Sequence, residues 1–358
     1  MKLVVQVPCL NEETTLPLVF ALMPRSVPGI DSIEFLVVDD GSTDRTVEVA
    51  ASLGVTEFVH HTRNMGLGQS FRDGARRALE LGADILVNTD GDNQYPSERI
   101  PDLVRPILAG EADIVVGDRQ THTIAHFSPL KKRLQKVGSG VVNLAAGTDI
   151  PDAASGFRAY SREALVRLNT INRFSYCTET IIQAGYKRLA IRSIPIQTNP
   201  KTRGSRLFSN VAEHVVKSAA AILRAYIMYR PLRLFTSLGS VMFIAGLLPF
   251  IRFVALVWFT GNNGGSGRHV QSLVLGSVIL IAAVIMFALG VIAELIRINR
   301  SLIEDSLEQQ KRHFYRRGPD LSGHPGTIDR EDGGRIMLGR SFQGLGQFVV
   351  ADRGADES

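Results

Sequence analysis

The sequence predicts an α/β domain on a mostly parallel sheet, followed by a hairpin of two apolar helices and a polar tail. Three observations carry that reading. From Met1 to about Phe208, short apolar runs alternate with segments of helical periodicity, the pattern of strands joined by helical crossovers. From Leu234 onward the chain turns to long apolar stretches. Beyond about Gly318 it is rich in glycine and mixed charge, a composition poor at building a core. The implied divisions are 1–208 for the α/β domain, 209–231 for a juxtamembrane helix, 232–300 for the hairpin and 301–358 for a mobile polar tail.

In order along the chain, Leu3–Val7 is a buried-strand run. Met1 leads straight into it, so no cleavable signal peptide is expected. Thr14–Leu22 reads as a helix with Pro17 near its start, and Ile33–Val38 as a second strand ending at Asp39-Asp40. Ser42, Thr43 and Asp44 offer caps for a helix over Arg45–Leu53. Glu57–His61 is a short strand, Gly68–Leu81 a helix and Ile85–Thr89 a fourth strand. In such sheets ligands lie at the carboxyl ends of the strands. Three polar clusters follow strand ends, at Pro8-Cys9-Leu10-Asn11-Glu12, Asp39-Asp40 and Asp90-Gly91-Asp92. They are expected to converge on one rim.

Asp90 and Asp92 are one residue apart beyond an apolar strand. Alternate side chains of an extended segment point the same way, so both carboxylates can reach one hard cation. A cation held by one or two carboxylates keeps positions open for phosphate oxygens, which suggests a nucleotide diphosphate held through Mg2+ or Mn2+. An Asp-Gly-Asp after a strand is also an ordinary turn. A G-x-G-x-x-G turn after the first strand is absent; the amide and two acids found there suit a base and ribose better than a bare pyrophosphate. Asn64-Met65-Gly66-Leu67-Gly68 opens the third helix, either as a plain βα turn or as a ligand-facing loop.

The chain has 358 residues, a formal net charge of +5 and 45% hydrophobic residues, and its mean hydropathy of +0.08 averages a polar domain with an apolar hairpin. The pI near 9.3 does not point to nucleic acid, because the basic residues cluster beside the apolar stretches, where anionic lipid headgroups account for them. Cys9 and Cys177 are the only cysteines and suggest neither a disulfide framework nor a zinc site. A reducing, cytoplasmic setting fits them. His60 and His61 have no acidic or cysteine partners at ligand spacing and read as strand-end residues.

Ser209–Arg230 carries apolar residues at helical spacing with Lys217, Arg224 and Arg230 elsewhere. It reads as an amphipathic helix on a bilayer, with a core helix as the alternative. Leu234–Phe259 is apolar except for Arg252, and Ser272–Ala293 is uncharged, each long enough to span. Arg224, Arg230 and Arg233 precede the first stretch and Arg297, Arg300, Lys311 and Arg312 follow the second, against Arg268 between them. Both ends are therefore expected in the cytoplasm. Arg252 either snorkels to the far interface or makes a polar contact between subunits. Hairpins of this kind gain from packing on copies of themselves, so a homo-oligomer is an expected partner.

Six motifs in order carry a resemblance: Pro8-Cys9-Leu10-Asn11-Glu12-Glu13, Val38-Asp39-Asp40-Gly41-Ser42-Thr43-Asp44, Asn64-x-Gly66-x-Gly68, Asp90-Gly91-Asp92-x-Gln94, Gly117-x-Arg119 and Ser155-Gly156-Phe157-Arg158. Over roughly residues 1–210 the chain resembles family 2 glycosyltransferases, closest to the branch that glycosylates polyisoprenyl phosphates. The resemblance implies a GT-A fold, a nucleotide-sugar donor, a divalent metal and inversion at the anomeric carbon. By the same carry-over, Pro8, Asn11, Glu12, Asp39, Asp40, Gly68 and Asp90 would form the nucleotide side of the site. Asp90, Asp92 and Gln94 would surround the metal.

A lipid-phosphate acceptor fits the chemistry. A phosphate monoester is already anionic near neutral pH and needs positioning and charge compensation rather than a general base. Candidate cations are Arg119, Lys131-Lys132-Arg133, Lys136, Arg158, Arg203 and Arg206. The last two lie in Lys201-Thr202-Arg203-Gly204-Ser205-Arg206, one residue shorter than the family's phosphate-handling Arg-x-Gly-x-Ser-Lys segment. Lys131-Lys132-Arg133 could equally be a solvated face, and Arg158 could pair with a carboxylate across the fold. Glu179 stands where family 2 enzymes often place a carboxylate near the acceptor, or pairs with Lys187 or Arg188. The sole tryptophan, Trp258, lies in an apolar stretch, so the Gln-x-x-Arg-Trp signature of processive synthases is missing. The expected donor carries UDP in slight preference to GDP. Transfer to another lipid, or a non-catalytic membrane scaffold, are the alternatives.

Overall fold

The computed structural model describes residues 1–121, 129–170, 176–200, 220, 226–260 and 270–315, with side chains of 129–135 and 260 left aside. The strands are β1 (Lys2–Cys9), β2 (Ser32–Asp39), β3 (Glu57–His60), β4 (Ile85–Asn88), β5 (Ile114–Asp118), β6 (Arg158–Ser161) and β7 (Ile191–Pro195). Among them run α1 (Leu16–Ala21), α2 (Thr46–Ser52), α3 (Leu67–Glu80), α4 (Ile100–Leu108), α5 (Pro129–Ala146), α6 (Arg162–Arg167) and α7 (Tyr176–Tyr186). Two long helices follow, α8 (Pro231–Thr260) and α9 (Val270–Phe314).

One sheet holds all seven strands in the order β3-β2-β1-β4-β6-β5-β7. Only β6 runs against its neighbours β4 and β5, so the sheet is mostly parallel, as the alternating pattern requires. β1 is buried along seven of its eight positions because helices cover both faces. Leu3, Val5 and Val7 meet Val19, Phe20 and Leu103 on one face, while Val4 joins Phe71, Ile181 and Ile182 on the other. The pairing Cys9↔Asp39 carries the β1–β2 ladder to the rim, so both strands outlast the apolar runs that marked them. α1 begins later than expected, since Thr15 Oγ1 turns back to donate to Glu12 Oε2 at 2.7 Å.

α8 and α9 pack as an antiparallel pair around close backbone approaches. A Cβ at Gly276 would lie 2.9 Å from the Gly246 carbonyl, and one at Gly239 would lie 3.0 Å from the Phe287 ring; small residues let apolar helices approach closely. Both helices are long and apolar enough to cross a membrane, with mean hydropathies of 2.2 and 2.8 and only 6% and 17% of their most apolar windows buried. That exposure is unlike a core helix of a soluble domain.

The boundary expected at residue 300 is corrected. α9 continues as unbroken helix to Phe314, and its end is bound to the α/β domain: Arg312 Nη1 donates to Glu163 Oε2 at 2.9 Å, and Lys311 Nζ to the Leu168 carbonyl at 2.9 Å. The expected amphipathic helix falls largely outside the described residues, as do Arg203, Arg206 and the tail after Gly318.

Candidate active site

The site begins with a register. β2, β1 and β4 are adjacent and parallel, with Cys9 level with Asp39 and Gln6 level with Asn88. The chain therefore leaves all three strands on the same rim, and the three polar clusters come together there. The first two turns are stitched to each other. Asn11, at φ 56°, accepts from Thr43 N at 2.7 Å and donates its own N–H to Ser42 Oγ at 2.9 Å. Glu12 N donates to Thr46 Oγ1 at 2.8 Å, and Ser42 N to Asp39 Oδ1 at 2.9 Å.

Asp40 is used within the fold. Its Oδ1 accepts from Met65 N at 2.8 Å and sits 2.7 Å from His61 Nδ1, while Oδ2 accepts from Gly66 N at 3.0 Å. His61 Nε2 lies 3.2 Å from Asp73 Oδ2. The reading of His61 as a residue without acidic partners is thus corrected: two aspartates, distant in sequence, flank its ring. Gly66, at φ 91°, turns the chain into α3, and Gly68 is buried in the first turn of that helix.

Asp90 and Asp92 occupy the rim after β4. Asp90 is half-buried, but its Oδ1 is shielded from solvent and has no hydrogen-bond partner. Burial, then the neighbouring charge of Asp92, push its pKa up to about 7, against the pull of Arg119. Cys9 beneath it is raised well above the ordinary thiol range by burial, and next by the charges of Glu12, Asp39 and Asp90. This is a pocket with excess negative charge. Gln94 Nε2 donates to Asp92 Oδ2 at 2.5 Å, so Gln94 steadies Asp92.

A divalent cation fits these residues. It would satisfy the unpartnered Asp90 oxygen and offset the charge that raises the carboxyl. Among the described residues no group of three or more His, Cys, Asp or Glu forms a closed metal site. Two carboxylates are the donor set of a hard cation that completes its shell with phosphate oxygens and water.

Beneath Asp90 lies a floor that sequence reading did not find. Gly156 N donates to Tyr95 Oη at 2.9 Å, and its carbonyl accepts from Asn88 Nδ2 at 3.0 Å and Tyr176 Oη at 3.0 Å. A Cβ at Gly156 would stand 3.5 Å from both Asp90 oxygens, ordinary contact distance, so this turn packs directly against the carboxylate. Tyr95 and Asn88 flank the acidic motif in sequence, a signal that was legible; Tyr176 arrives from α7.

Arg119 lies beside this site and forms a two-pronged pair with Asp152, Nε to Oδ2 at 2.6 Å and Nη2 to Oδ1 at 2.8 Å. Burial raises the Asp152 carboxyl, but the Arg119 charge and hydrogen bonds outweigh it, and the pKa ends below the ordinary value. Two residues before Asp152, Ile150 is held by the Asn143 side chain, which accepts from Ile150 N and donates to Ile150 O, each at 3.0 Å.

Arg158 departs from its expected role. It is fully buried and donates to the carbonyls of Ser155, Ala153 and Cys177 and to Thr180 Oγ1 at 2.7–2.9 Å. Among the described residues no carboxylate forms an ion pair with it; its donors tie the Ser155-Gly156-Phe157 turn to α7. Glu179 is buried on α7, with Gln183 Nε2 3.4 Å from Oε1. Lys187 instead faces Glu304 and Glu308 at 3.8 and 3.7 Å. Lys136 is exposed, and the side chains of Lys131, Lys132 and Arg133 lie outside the described residues.

Comparison with known proteins places this rim in a family. Residues 4–168 match the family described as Glycosyl transferase family 2. A UDP-N-acetylglucosamine–dolichyl-phosphate N-acetylglucosaminyltransferase of Methanococcus voltae is 31% identical over 184 residues, covering 46% of this chain and 73% of that protein. The chain belongs to glycosyltransferase family 2. A polyprenol monophosphomannose synthase of Mycolicibacterium smegmatis is 28% identical over 226 residues, 60% of this chain and 84% of that one. Among solved structures, glucosyl-3-phosphoglycerate synthase from Mycobacterium tuberculosis with Mn2+ and UDP-glucose superposes with a TM-score of 0.45 and 25% identity, over 62% of this chain and 78% of that one. The family 2 membership makes the chain a glycosyltransferase, and its sheet is the GT-A type that membership implies.

Proposed function

We propose that this glycosyltransferase moves a sugar from a nucleotide-diphosphate donor to a polyisoprenyl phosphate at the cytoplasmic face of a membrane, with inversion. The observation that carries the reading is the shielded, partnerless Asp90 oxygen beside Asp92, on a domain continuous with two apolar helices. The archaeal and mycobacterial relatives, named for dolichyl phosphate and polyprenol, support the acceptor class.

Glu12, Asp39 and the Asn11 turn would frame the base and ribose, with uridine the slightly favoured base. Asp90 and Asp92, steadied by Gln94, would hold Mg2+ or Mn2+, which when bound neutralises charge on the departing diphosphate. The acceptor phosphate is its own nucleophile, so the protein's task is to orient an anion and offset its charge. Arg119, held in one geometry by Asp152, is the described cation best placed for it; Arg203 and Arg206 are the further candidates. Glu179 stands behind Tyr176 on α7 and would shape the acceptor side. Arg230, Arg233, Arg297 and Arg300 cluster at the same end of the two apolar helices, a charge bias that supports a cytoplasmic location for that end.

The test incubates purified protein with a panel of UDP- and GDP-sugars, Mn2+ or Mg2+ and a polyprenyl phosphate, with Asp92→Ala as the control. Labelled lipid made by the wild type and lost in the variant is expected, and it names the donor. Metal-dependent nucleotide binding without any lipid product would move the acceptor to another lipid. Absence of nucleotide binding would leave a scaffold.

A further inference from the structure

α9 has 45 residues, about 67 Å of helix at 1.5 Å per residue, twice the roughly 30 Å that a bilayer core requires. Its uncharged stretch ends at Ala293. From Glu294 to Phe314 the same unbroken helix runs for about 30 Å outside that stretch, and it is fastened to the α/β domain along its length. Lys187, at the end of α7, is buried between Glu304 and Glu308 at 3.8 and 3.7 Å and donates to the Arg167 carbonyl at 2.6 Å. Lys311 Nζ donates to Leu168 O at 2.9 Å and Asn169 Oδ1 at 2.7 Å. Arg312 closes the far end on Glu163.

Such a contact is costly to make and specific once made. Lys187, Glu304 and Glu308 have side-chain exposures of 9%, 10% and 17%, and a charge that buried is tolerated only with its partners in place. The other end of α7 is the site: Tyr176 Oη reaches the Gly156 carbonyl beneath Asp90. One helix therefore touches the floor of the pocket at its start and the long α9 helix at its finish.

We propose that the Glu294–Phe314 part of α9 is a rigid strut, and that Glu304 and Glu308 are positioning residues whose grip on Lys187 fixes the height and tilt of the active site over the membrane. This rests on the membrane-spanning, lipid-acceptor reading given above. A free hinge after Ala293 would let the pocket wander relative to an acceptor phosphate confined to the headgroup plane. A continuous helix gripped at several points removes that freedom. The consequence is selective: the strut matters when the acceptor is fixed in a bilayer and not when it diffuses in water.

The experiment compares wild type with E304Q/E308Q in lipid nanodiscs. Cys9 and Cys177 are buried, so a cysteine introduced at exposed Ala51 on α2 can be labelled alone and its energy transfer to a headgroup dye measured. The wild type is expected to give one narrow distance distribution and the double variant a broad one. An unchanged narrow distribution would overturn the strut whatever the activity. Rates are then measured with a long polyprenyl phosphate in the disc and with a short, water-soluble isoprenyl phosphate. The variant is expected to lose about ten-fold or more on the embedded acceptor, the scale of a misplaced reacting group, while the soluble acceptor keeps its kcat and KM within about two-fold. Equal losses on both would mean that the carboxylates only stabilise the fold. If wild type transfers sugar to neither acceptor, the function reading fails, and the distance distribution alone decides for or against the strut.

Discussion

Replacing Asp152 with alanine leaves Arg119 without its partner in a position where solvent offers little relief, since the two side chains are 18% and 3% exposed. At an effective dielectric near 20, unit charges about 4 Å apart attract by about 4 kcal/mol. Loss of one member of a buried pair costs about 3–5 kcal/mol; the residual exposure of Arg119 puts Asp152→Ala at the lower end, about 3 kcal/mol. The pKa of Asp152 is held below its ordinary 3.8, so this contribution is complete above that pH and is lost as pH falls through the lower folded value. Urea unfolding at pH 7 followed by far-ultraviolet circular dichroism measures it. Fluorescence does not, because the sole tryptophan, Trp258, is 82% exposed on α8 and reports on the hairpin. The apolar pair Arg119→Met/Asp152→Leu is expected within about 1.5 kcal/mol of wild type. A loss below about 1 kcal/mol for Asp152→Ala, the range of a surface pair, would refute the claim that Arg119 is held by a desolvated bond.

Three further outcomes are expected. Gly185→Ala puts a Cβ 2.1 Å from the Ala146 carbonyl oxygen, so α5 and α7 must separate, at a cost of about 1–3 kcal/mol in thermal or chemical unfolding. His61→Ala removes the ring between Asp40 and Asp73 and should cost about 1.5–3 kcal/mol of stability, with weaker nucleotide binding by calorimetry as the Met65-Gly66 turn loosens. Burial, and next the charge of Lys187, depress Lys311 from 10.5 to about 8. Because the unfolded chain keeps that proton to higher pH, docking of the α9 end strengthens as pH rises from 8 towards 10.5; limited proteolysis after Arg300 should be slower at pH 9 than at pH 7.

Features set by neighbouring residues were legible in the sequence. Continuous apolar runs mark β1, β2 and β4 as strands buried on both faces, and the acidic residues that follow them gather on the rim where parallel strands end. Features set by pairing at a distance were not. Nothing near Arg119 announces Asp152, 33 residues on, and nothing near His61 announces Asp73 as its second partner. Arg158 has the composition of a phosphate ligand, and only packing against α7 shows that backbone carbonyls absorb it. Hydropathy marks where α9 leaves an apolar medium but is silent on where the helix stops, since a polar helix is stable there only through its contacts with α6 and α7.

The guanidinium of Arg158 takes acceptors from residues 153 and 155 on one side and 177 and 180 on the other. Losing either group strands a buried cation, so β6 and the first turns of α7 have no cheap way to open separately. They are expected to melt as one unit, with their amides exchanging with solvent at a common, slow rate.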